Sequence, residues 1–588
     1  MYRASKSNDI KKMHNLQRLL LKSTSAKMLA VRRVTQDNRG KKTAGIDGKA
    51  NLNQKERMQL AYSMDLREKA KPSRRVWIPK PGGKPLERRP LGIPTISCRA
   101  KQTLVKMALE PEWEAKFEPN IYGFRPGRSC HDAIKAIFNA LNKKTAFVLD
   151  ADISKCYDNI DHKALLKKLK TTPTLTKIIR RWLKAGIMEG RKFKSTRCGT
   201  IQGGTISPLL ACVALNGLEQ YLKKELASDL FQYVKNNKNS NISQRKAQER
   251  LSVIFYADDS IIIHESKEII QRAKILVEQW LKTIGLELNP EKTRISHTLK
   301  SVEEQKPGFD FLGFTVRQYS TNRSKRGYKL LIKPSRKSIK QHSLVIKQKL
   351  RKMRGITQEA LIKNLNPIIR GWCQYYTSAV SSRVFSSLDN KMFVKLWRWS
   401  VMRHLNKGKR WIKKKYFRKH GNDNWKFMTN SGIHLIKYED HAIKWHVKVK
   451  GIRSPYDGDW VYWGNRLNRV RGKSPRVIKL LKVQEGKCNY CQLYFKGDDI
   501  IEVHHQDRNR NHKTIKNLSL LHGHCHDDLH RRSMHDKHQI RGKPDDGKMC
   551  AVVRIKKYLA ELSGVQNKWP RGEQLTLTRK GRRTRACM

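Results

Sequence analysis

The sequence predicts a multidomain α+β protein, and three observations support this fold class. Its 588 residues exceed what one hydrophobic core serves, since a domain usually holds about 100–200 residues. Runs rich in β-branched and aromatic residues, at 146–153 and 252–263, predict strands, whereas other stretches space their apolar residues as helices do. Paired cysteines and histidines after residue 487 predict a small metal-supported module. We therefore expect three or four domains.

The charge of the chain indicates its partners. Lysine and arginine number 125 and aspartate and glutamate 50, so the formal net charge is +75. The positive charge is spread along the whole length, which is typical of a protein that binds nucleic acid. No apolar run approaches the 18 residues needed to span a bilayer, and the N-terminus lacks the apolar segment of a secretion signal. We expect no membrane partner and no secretion.

The stretch 252–263 holds an acidic pair between two apolar runs. The runs predict a β-hairpin whose turn holds Asp258 and Asp259. Adjacent carboxylates at the end of apolar strands repel each other and resist desolvation unless a cation lies between them. Mg²⁺ suits them because it prefers oxygen ligands, and two such ions can clamp the reacting oxygens of a phosphoryl transfer. A solvated Asp-Asp turn is the alternative that the pair alone leaves open.

A second acidic strand lies upstream. Residues 146–153 form an apolar run with Asp152 near its end, and Tyr157 follows five residues later. This strand and the Tyr-Ala-Asp-Asp sequence at 256–259 resemble the palm of reverse transcriptases. The surrounding blocks resemble the group II intron-encoded subclass, the reverse transcriptase and maturase proteins. The resemblance places a triad that binds two Mg²⁺ ions on Asp152, Asp258 and Asp259, and it implies that Tyr157 excludes a ribose 2′-hydroxyl.

The resemblance also implies a right-hand polymerase fold. Residues 1–70 are expected to be a basic helical extension, and residues 71–330 the fingers and palm. Between residues 74 and 94, a strand, a Pro/Gly turn and a second strand predict a basic β-hairpin. Arginine forks suit phosphate oxygens, so we predict that the hairpin contacts the dNTP triphosphate or the template through Arg75, Lys80 and Arg89. Solvated surface charge is the alternative.

A glycine-rich loop precedes a predicted helix at residues 199–209. Its backbone N–H groups and the Gln202 amide are suited to line a nascent base pair, and the resemblance implies that Gln202 contacts the template or the nucleotide. The alternative is a plain loop at the start of a helix.

Residues 331–420 are predicted to form an α-helical thumb, the family's domain X. The segments 333–354 and 401–420 each carry nine lysines or arginines and no acid. Basic residues interleaved with aromatic ones suit phosphate contacts and base stacking, although a helical bundle with a solvated basic side would show the same pattern. The block 365–376 resembles domain X, which implies binding of group II intron RNA. Residues 421–475 occupy the place of the family's DNA-binding region and show no specific motif.

The C-terminal part has two ligand pairs at equal spacing. They suit a closed tetrahedral site for a structural Zn²⁺ that folds a small domain, and they are Cys488, Cys491, His522 and Cys525. Further histidines lie between and after these pairs, and a structural zinc finger alone would leave them without a purpose.

This constellation resembles HNH endonucleases of the ββα-metal type, which predicts a zinc-supported HNH module at residues 476–535. The resemblance implies that His505 is the general base and that Asn517 orients the hairpin carrying it. It places the ligands of the catalytic divalent ion on His504, His526 and His530. Residues 536–588 are expected to be a basic tail.

Together these patterns predict a multifunctional group II intron-encoded protein. It would be an RNA-directed DNA polymerase, a splicing cofactor and an endonuclease that nicks double-stranded target DNA to create its own primer. The alternatives are a domesticated or defence-type reverse transcriptase and an RNA-binding maturase without polymerase activity. We expect it in the bacterial cytoplasm or in an organelle, and the sequence leaves open whether it is a monomer or a dimer.

Overall fold

The computed structural model describes residues 1–79, 87–238, 243–302, 305–467, 474–495, 499–507, 509, 511–512 and 514–538. The chain divides into two compact units, Met1–His526 and Asp527–Met588, and each is described by itself. Within the described ranges, no helix combines the length and the apolar character needed to cross a membrane.

The structure confirms a mixture of helices and strands. The strands are β1 (Ser73–Pro79), β2 (Arg88–Ile93), β3 (Phe147–Asp152), β4 (Ile187–Glu189), β5 (Lys192–Lys194), β6 (Ser252–Tyr256), β7 (Asp259–His264), β8 (Arg294–His297), β9 (Phe309–Phe311), β10 (Phe314–Ser320), β11 (Tyr328–Pro334), β12 (Phe417–His420), β13 (Asp423–Phe427), β14 (Ile501–His505) and β15 (Leu518–His522). The helices are α1 (Tyr2–Lys6), α2 (Ile10–Lys22), α3 (Thr24–Arg32), α4 (Gln54–Tyr62), α5 (Ile96–Lys116), α6 (Cys130–Leu141), α7 (Cys156–Asn159), α8 (His162–Leu169), α9 (Pro173–Leu183), α10 (Ser207–Leu215), α11 (Leu218–Glu225), α12 (Ala227–Lys238), α13 (Gln244–Gln248), α14 (Lys267–Lys282), α15 (Arg336–Lys352), α16 (Gln358–Tyr376), α17 (Ser382–Val401), α18 (Lys409–Tyr416), α19 (Trp460–Leu467), α20 (Pro475–Val483) and α21 (Gly523–His538).

The sheet β6-β7-β3-β8 has hydrophobic cores on both faces, and its neighbouring strands are all antiparallel. Successive side chains of a strand point to opposite faces. Leu149 and Ile262 therefore enter one core, which also holds residues of α5, α8–α11 and α14. Val148 and Ile261 enter the other, which holds residues of α6 and α15–α18. Burial on both faces explains the continuous apolar runs of the sequence, and the strands predicted there are confirmed.

The N-terminal helices pack on α5. Small and apolar side chains, among them Ala30, Ala61 and Leu104, form their shared core. The side chain of Asn53 accepts a hydrogen bond from the backbone of Glu56, and the Glu56 carboxylate accepts one from the Asn53 backbone, so a capping box begins α4. The helices expected in residues 1–70 are confirmed.

The basic hairpin predicted between residues 74 and 94 is confirmed as the antiparallel pair β1 and β2. Its register runs from Arg74 opposite Ile93 to Pro79 opposite Arg88. The short hairpin β4–β5 extends this sheet, because β4 lies parallel to the start of β1. The predicted turn, residues 80–86, lies outside the described residues.

Three long helices follow the last strands of this region. Ile346 on α15, Leu365 on α16 and Leu388 on α17 meet in the second hydrophobic core. Helix α18 and the hairpin β12–β13 join the same core through Tyr416 and Phe427. The helix predicted for residues 333–354 is confirmed as α15, whereas the segment 401–420 holds only the short helix α18 and ends in the strand β12.

Residues 444–466, here called the return segment, pack back onto α6. The fully buried carboxylate of Asp132 accepts hydrogen bonds from Arg466 at 2.8 Å, from the His446 ring at 3.1 Å and from the backbone N–H of Val449 at 2.8 Å. A buried carboxylate without partners would be costly, so these contacts fix the segment. A DNA-binding role for residues 421–475 stays a prediction.

The C-terminal elements are the helix α20, the antiparallel hairpin β14–β15 and the helix α21. The Gln484 side chain, just after α20, donates to the carbonyl of Leu520 at 3.0 Å and accepts from its N–H at 2.7 Å. This two-way contact fixes α20 against β15. In chain order the module is two strands followed by a helix.

Candidate active sites

Three acidic residues lie at one end of the sheet β6-β7-β3-β8. Asp152 ends β3 and Asp259 begins β7, and the two residues face each other in the antiparallel register. Asp258 lies in the two-residue turn 257–258 that joins β6 to β7. The prediction that the turn holds both adjacent acids was wrong for Asp259, because this residue pairs with Tyr256 as part of the strand.

The turn that carries Asp258 needs close packing. Ala257 adopts a left-handed backbone conformation with φ of 60°. Gly123 passes so close that a Cβ atom there would lie 2.2 Å from the Ala257 nitrogen. Because residue 123 has no side chain, its backbone can pack directly against the turn. The Asp258 side chain is exposed.

The local electrostatics make these acids resist ionisation. Restricted hydration, followed by the charges of Asp258 and Asp152, raises the pKa of Asp259 to about 6, although its side chain still reaches solvent. Burial, followed by the charges of Asp259 and Asp152, raises the pKa of Asp150 to about 7. Carboxylates that repel each other in this way favour a cation among them.

Cationic side chains surround the acids. The Lys292 ammonium lies 3.2 Å from a carboxylate oxygen of Asp152. Restricted hydration and the neighbouring acids have the larger effect and raise the pKa of Asp259, whereas the charges of Arg89 and Lys292 lower it. Arg89 on β2 is therefore close enough to act on the acidic site.

The acidic site fits Mg²⁺ by the chemistry of its donors. Asp152, Asp258 and Asp259 offer hard carboxylate oxygens at an accessible edge, and each is fixed by a strand or a tight turn. Mg²⁺ is usually held by one or two carboxylates together with substrate phosphates and water. These three residues would hold it.

The structure describes three of the four other residues that were predicted for the polymerase site. Tyr157 on α7 packs edge-on against Phe124, and its pKa is raised by burial and then by the charge of Asp258. The Gln202 carbonyl accepts a hydrogen bond from the Gly92 N–H at 2.8 Å, which fixes the glycine-rich loop against β2. Arg75 is half-buried, and its charge lowers the pKa of Asp158 against the larger raising effect of burial. Lys80 lies outside the described residues.

A second site brings together three thiols and one imidazole. The ligand atoms of four residues lie within 4.8 Å of one another, namely Cys488, Cys491, His522 and Cys525. The His522 Nδ1 is 3.3 Å from the Cys491 sulfur and 3.9 Å from the Cys525 sulfur. Its Nε2 is 3.2 Å from an Asp499 oxygen, and such a carboxylate orients a metal-binding imidazole. Four soft or borderline donors fit a tetrahedral Zn²⁺.

A third cluster lies beside the hairpin β14–β15. One ring nitrogen of His504 lies within 4.8 Å of one of His526. The His526 Nδ1 is 2.9 Å from a Glu502 oxygen, which orients that ring. His505 is half-buried on β14, opposite Leu518. His530 lies on α21 four residues after His526 and belongs to the second unit.

Asn517 ties down the loop that follows His505. Its side-chain NH₂ group donates to the Asp507 carboxylate at 2.8 Å and to the His512 backbone carbonyl at 2.9 Å. Its side-chain oxygen accepts from the Asp507 backbone N–H at 3.0 Å. Its backbone carbonyl accepts from the Gln506 backbone N–H at 2.8 Å. Asn517 therefore fixes the backbone at the end of β14.

Comparisons with known proteins match three parts of the chain to described families. Residues 78–316 match the reverse transcriptase (RNA-dependent DNA polymerase) family, and residues 1–64 match the N-terminal domain of reverse transcriptase. Residues 339–417 match the group II intron maturase-specific domain. Protein YkfC of Escherichia coli K12 is 32% identical over 326 residues, which cover 51% of this chain and 82% of YkfC.

A similar result comes from the group II intron-encoded protein LtrA of Lactococcus lactis subsp. cremoris. It is 30% identical over 375 residues, which cover 52% of this chain and 60% of LtrA. The chain belongs to the group II intron-encoded reverse transcriptases. An uncharacterized 91 kDa protein in the cob intron of Schizosaccharomyces pombe is 25% identical over 510 residues, 76% of this chain and 59% of that protein. The matched segments thus span about three fifths of LtrA and of the 91 kDa protein.

The family matches include the acidic site and leave out the Cys/His clusters. The reverse transcriptase match includes all three acids of the palm, and the maturase match runs from α15 to the first residue of β12. These matches end at residue 417, so the Cys/His clusters are described from their geometry alone.

Sequence reasoning assigned no role to several residues at these sites. Asp150 precedes Asp152 by two residues, so strand alternation places both on one face, and that spacing was the available signal. Glu502 and Asp499 orient His526 and His522. A search for carboxylates just before the ligand histidines finds Glu502, whereas nothing in the sequence points to Asp499.

Proposed function

We propose that this group II intron-encoded protein synthesises DNA on an RNA template. The primer 3′-hydroxyl gives up its proton to water and attacks the α-phosphate of a dNTP. A new O–P bond forms, the α–β phosphoanhydride bond breaks, and pyrophosphate leaves with the electron pair. The observation that carries this proposal is the pairing of Asp152 with Asp259 beside Asp258 in the turn. Two Mg²⁺ ions bound there would neutralise charge at the attacking and leaving oxygens.

Further predicted residues position the substrates in this proposal. Arg75, Lys80 and Arg89 contact the triphosphate or the template, since guanidinium forks match phosphate oxygens. Tyr157 excludes a ribose 2′-hydroxyl, and its packing against Phe124 fixes the ring for that purpose. The glycine-rich loop brings Gln202 to the nascent base pair, supported by its hydrogen bond to β2.

Replacing one acid tests the polymerase proposal. Asp258→Ala should lower primer extension on an RNA template by about 10³-fold, since a lost metal site costs several kcal/mol. Asp258 is exposed in a turn, so thermal stability and RNA binding should stay unchanged. Glu278→Ala, which removes an exposed partner of Lys274 on α14, is the matched control and should extend primers normally. Normal extension by Asp258→Ala would refute the proposed palm.

The maturase region binds the intron RNA in this proposal. Helices α15–α18 carry many lysines and arginines, and the maturase match covers them. Phosphate contacts by such residues supply affinity without sequence information. Binding of double-stranded target DNA uses the same excess positive charge.

The C-terminal module is proposed to be a zinc-supported HNH endonuclease. His505 activates water as a general base, and Asn517 holds the loop behind it. His504, His526 and His530 would hold the catalytic divalent ion, with Glu502 orienting His526. A structural Zn²⁺ would be held by Cys488, Cys491, His522 and Cys525. This proposal is supported by the gathered Cys/His set, by the closeness of His504 to His526, and by the order of two strands and a helix along the chain.

Nicking and extension in one chain serve one reaction sequence, because the nick supplies the 3′-hydroxyl that the palm extends. His505→Ala should lower nicking of the target DNA by about 10²–10⁴-fold, the usual contribution of a general base. Extension of an added primer should be unaffected. His420→Ala, an exposed histidine on β12, is the control and should nick normally. Equal nicking by both variants would refute the nuclease proposal.

A further inference from the structure

A pocket of about 620 Å³ lies between α17, the hairpin β12–β13 and residues 435–439. Its volume is in the range of small-molecule sites. Five aromatic residues line it. Four of them have ring centroids between 5.6 and 6.3 Å apart, namely Phe393, Trp397, Phe417 and Trp425; the fifth is Phe427. Trp425 is 42% exposed and Phe393 39% exposed. Large rings left open beside a cavity indicate that a flat apolar group contacts them.

The carboxylates of this pocket are engaged by the protein itself. Asp389 accepts the backbone N–H groups of Tyr438 and Glu439, both at 2.9 Å. Lys437 lies 2.9 Å from an oxygen of Asp423 and 3.3 Å from one of Glu439. These acids are therefore already paired with protein donors.

The aromatic face is already in contact with a cation. The Lys413 ammonium lies 4.2 Å from the centroid of the Trp425 ring. A cationic ligand in the pocket would be repelled by Lys413, and a phosphate would meet the three carboxylates. A neutral planar ring meets neither obstacle.

A cationic groove of about 1290 Å³ lies on another face of the same helix, between α15 and α17. Eight lysines or arginines line it, and none of its described lining residues is acidic. Burial and the charges of Lys391 and Lys347 lower the pKa of Lys395, so these ammonium groups crowd one another. Such a groove favours a polyanion. Asn390 lines both the groove and the aromatic pocket, so the two are contiguous.

We infer that a strand of RNA lies with its phosphates in the groove and inserts one unstacked base into the aromatic pocket. This inference rests on the proposed binding of RNA by the maturase region and adds the part of the RNA that is recognised. Unpaired bases stack on aromatic side chains, whereas a regular duplex keeps its bases stacked inside. The exposed amide of Asn390, at the junction, can hydrogen-bond a base edge.

The test uses the full-length chain and two RNA hairpins with the same stem. One hairpin carries a single bulged 2-aminopurine, and the other is fully paired. Affinity is measured by anisotropy, and stacking of the bulged base by its fluorescence. Trp425→Ala should bind the bulged hairpin about tenfold more weakly, which equals about 1.4 kcal/mol, and should leave the paired hairpin unchanged. Trp425→Phe should restore most of the affinity because it keeps an aromatic face.

Two controls separate the pocket from the charge and from the fold. Phe231→Ala removes an aromatic ring that is 40% exposed on α12, outside the pocket, and it should behave as the wild type. Lys395→Ala should weaken both hairpins equally and reduce the slope of affinity against salt, whereas Trp425→Ala should keep the wild-type slope. Normal primer extension by Trp425→Ala shows that the fold is intact.

Several outcomes would overturn the inference. Equal binding of the two hairpins by the wild type, or an unchanged preference in Trp425→Ala, would exclude a base pocket while the proposed function stands. Displacement of the bulged base by tetramethylammonium but not by adenosine would assign the pocket to an organic cation. If the wild type binds neither hairpin at any salt concentration, the proposed RNA binding fails as well.

Discussion

The palm acids and the C-terminal Cys/His cluster are two metal-capable sites with opposite relations to their scaffolds. The acids stand at the edge of a sheet that is buried on both faces, and that burial needs no ion. The Cys/His cluster belongs to a module of two five-residue strands and short helices. A core of that size is marginal without a staple. We infer that a metal serves reaction chemistry at the first site and folding at the second.

Removal of zinc should show the largest difference between the two sites. Cys491→Ser, or a chelator selective for zinc, should abolish DNA nicking, because structural zinc contributes about 10–16 kcal/mol to the folding of small modules. Primer extension by the same sample should persist. The check is a parallel assay of both activities, with proteolysis of the C-terminal region as a readout of unfolding.

Cys198→Ser is the matched control, since this exposed cysteine lies outside the cluster. It should keep both activities and resist proteolysis as the wild type does. Loss of primer extension together with nicking in Cys491→Ser would show that the two sites share one folding unit.

A higher salt concentration should weaken RNA binding, because the chain is strongly basic along its whole length. If six to ten phosphates are contacted, raising salt from 50 to 200 mM should weaken RNA binding by about 10³–10⁵-fold. Asp258→Ala should show the same slope as the wild type, since it removes no cation. Affinity measured at four salt concentrations checks this prediction, and a flat dependence would contradict the electrostatic origin of RNA binding.

Loss of a supporting carboxylate should cost less than loss of a ligand. Glu502→Gln should lower the affinity of the proposed nuclease site for a divalent ion by about 10–100-fold, because the partner of His526 no longer orients and polarises the ring. A raised concentration of Mn²⁺ should restore nicking. The measurement is nicking rate against metal concentration, and a defect that metal cannot rescue would argue for a different role of Glu502.

The smallest expected effect is the dependence of the folding stability of the larger unit on pH. Burial lowers the pKa of both His264 and His342 to about 4. In the unfolded chain each titrates near 6.5, so the unfolded state takes up protons first. Stability is therefore complete above about pH 6.5 and falls toward pH 4, by about 1.4 kcal/mol per pH unit for each histidine. His342→Gln should lose less thermal stability between pH 7 and pH 5 than the wild type does.

An equal loss for His342→Gln and the wild type would contradict this account of His342. The variant's own midpoint at pH 7 serves as the reference, because it loses the stacking of His342 on Trp372 and its 2.7 Å hydrogen bond with the Tyr438 hydroxyl.

Sequence patterns predicted the elements that depend on local interactions. The apolar runs of β3, β6 and β7 identified the sheet because burial on both faces removes polar residues from a strand. The turn position of Asp259 was wrong by one residue, since Asp259 pairs with Tyr256 and so belongs to β7. Paired spacing predicted which four Cys/His side chains the structure brings together, because two close pairs can share one ion.

Other contacts between distant residues gave no sequence signal. Asp132 and Arg466 are 334 residues apart, and only the folded chain reveals that the return segment packs on α6. The aromatic pocket likewise joins a helix to a hairpin, and each element alone looks like an ordinary packed surface. Asp499 orients His522 from outside any recognisable spacing.

Asp152, Asp258 and Asp259 are proposed to bind the same divalent ions. Fe²⁺ in place of Mg²⁺, with ascorbate and peroxide, generates radicals that cut the backbone beside the bound metal. The account predicts cuts near residues 150–153 and 257–260 together, suppressed by excess Mg²⁺ and lost in Asp259→Asn. Cutting at one of these segments alone, or cutting that persists in Asp259→Asn, would contradict it.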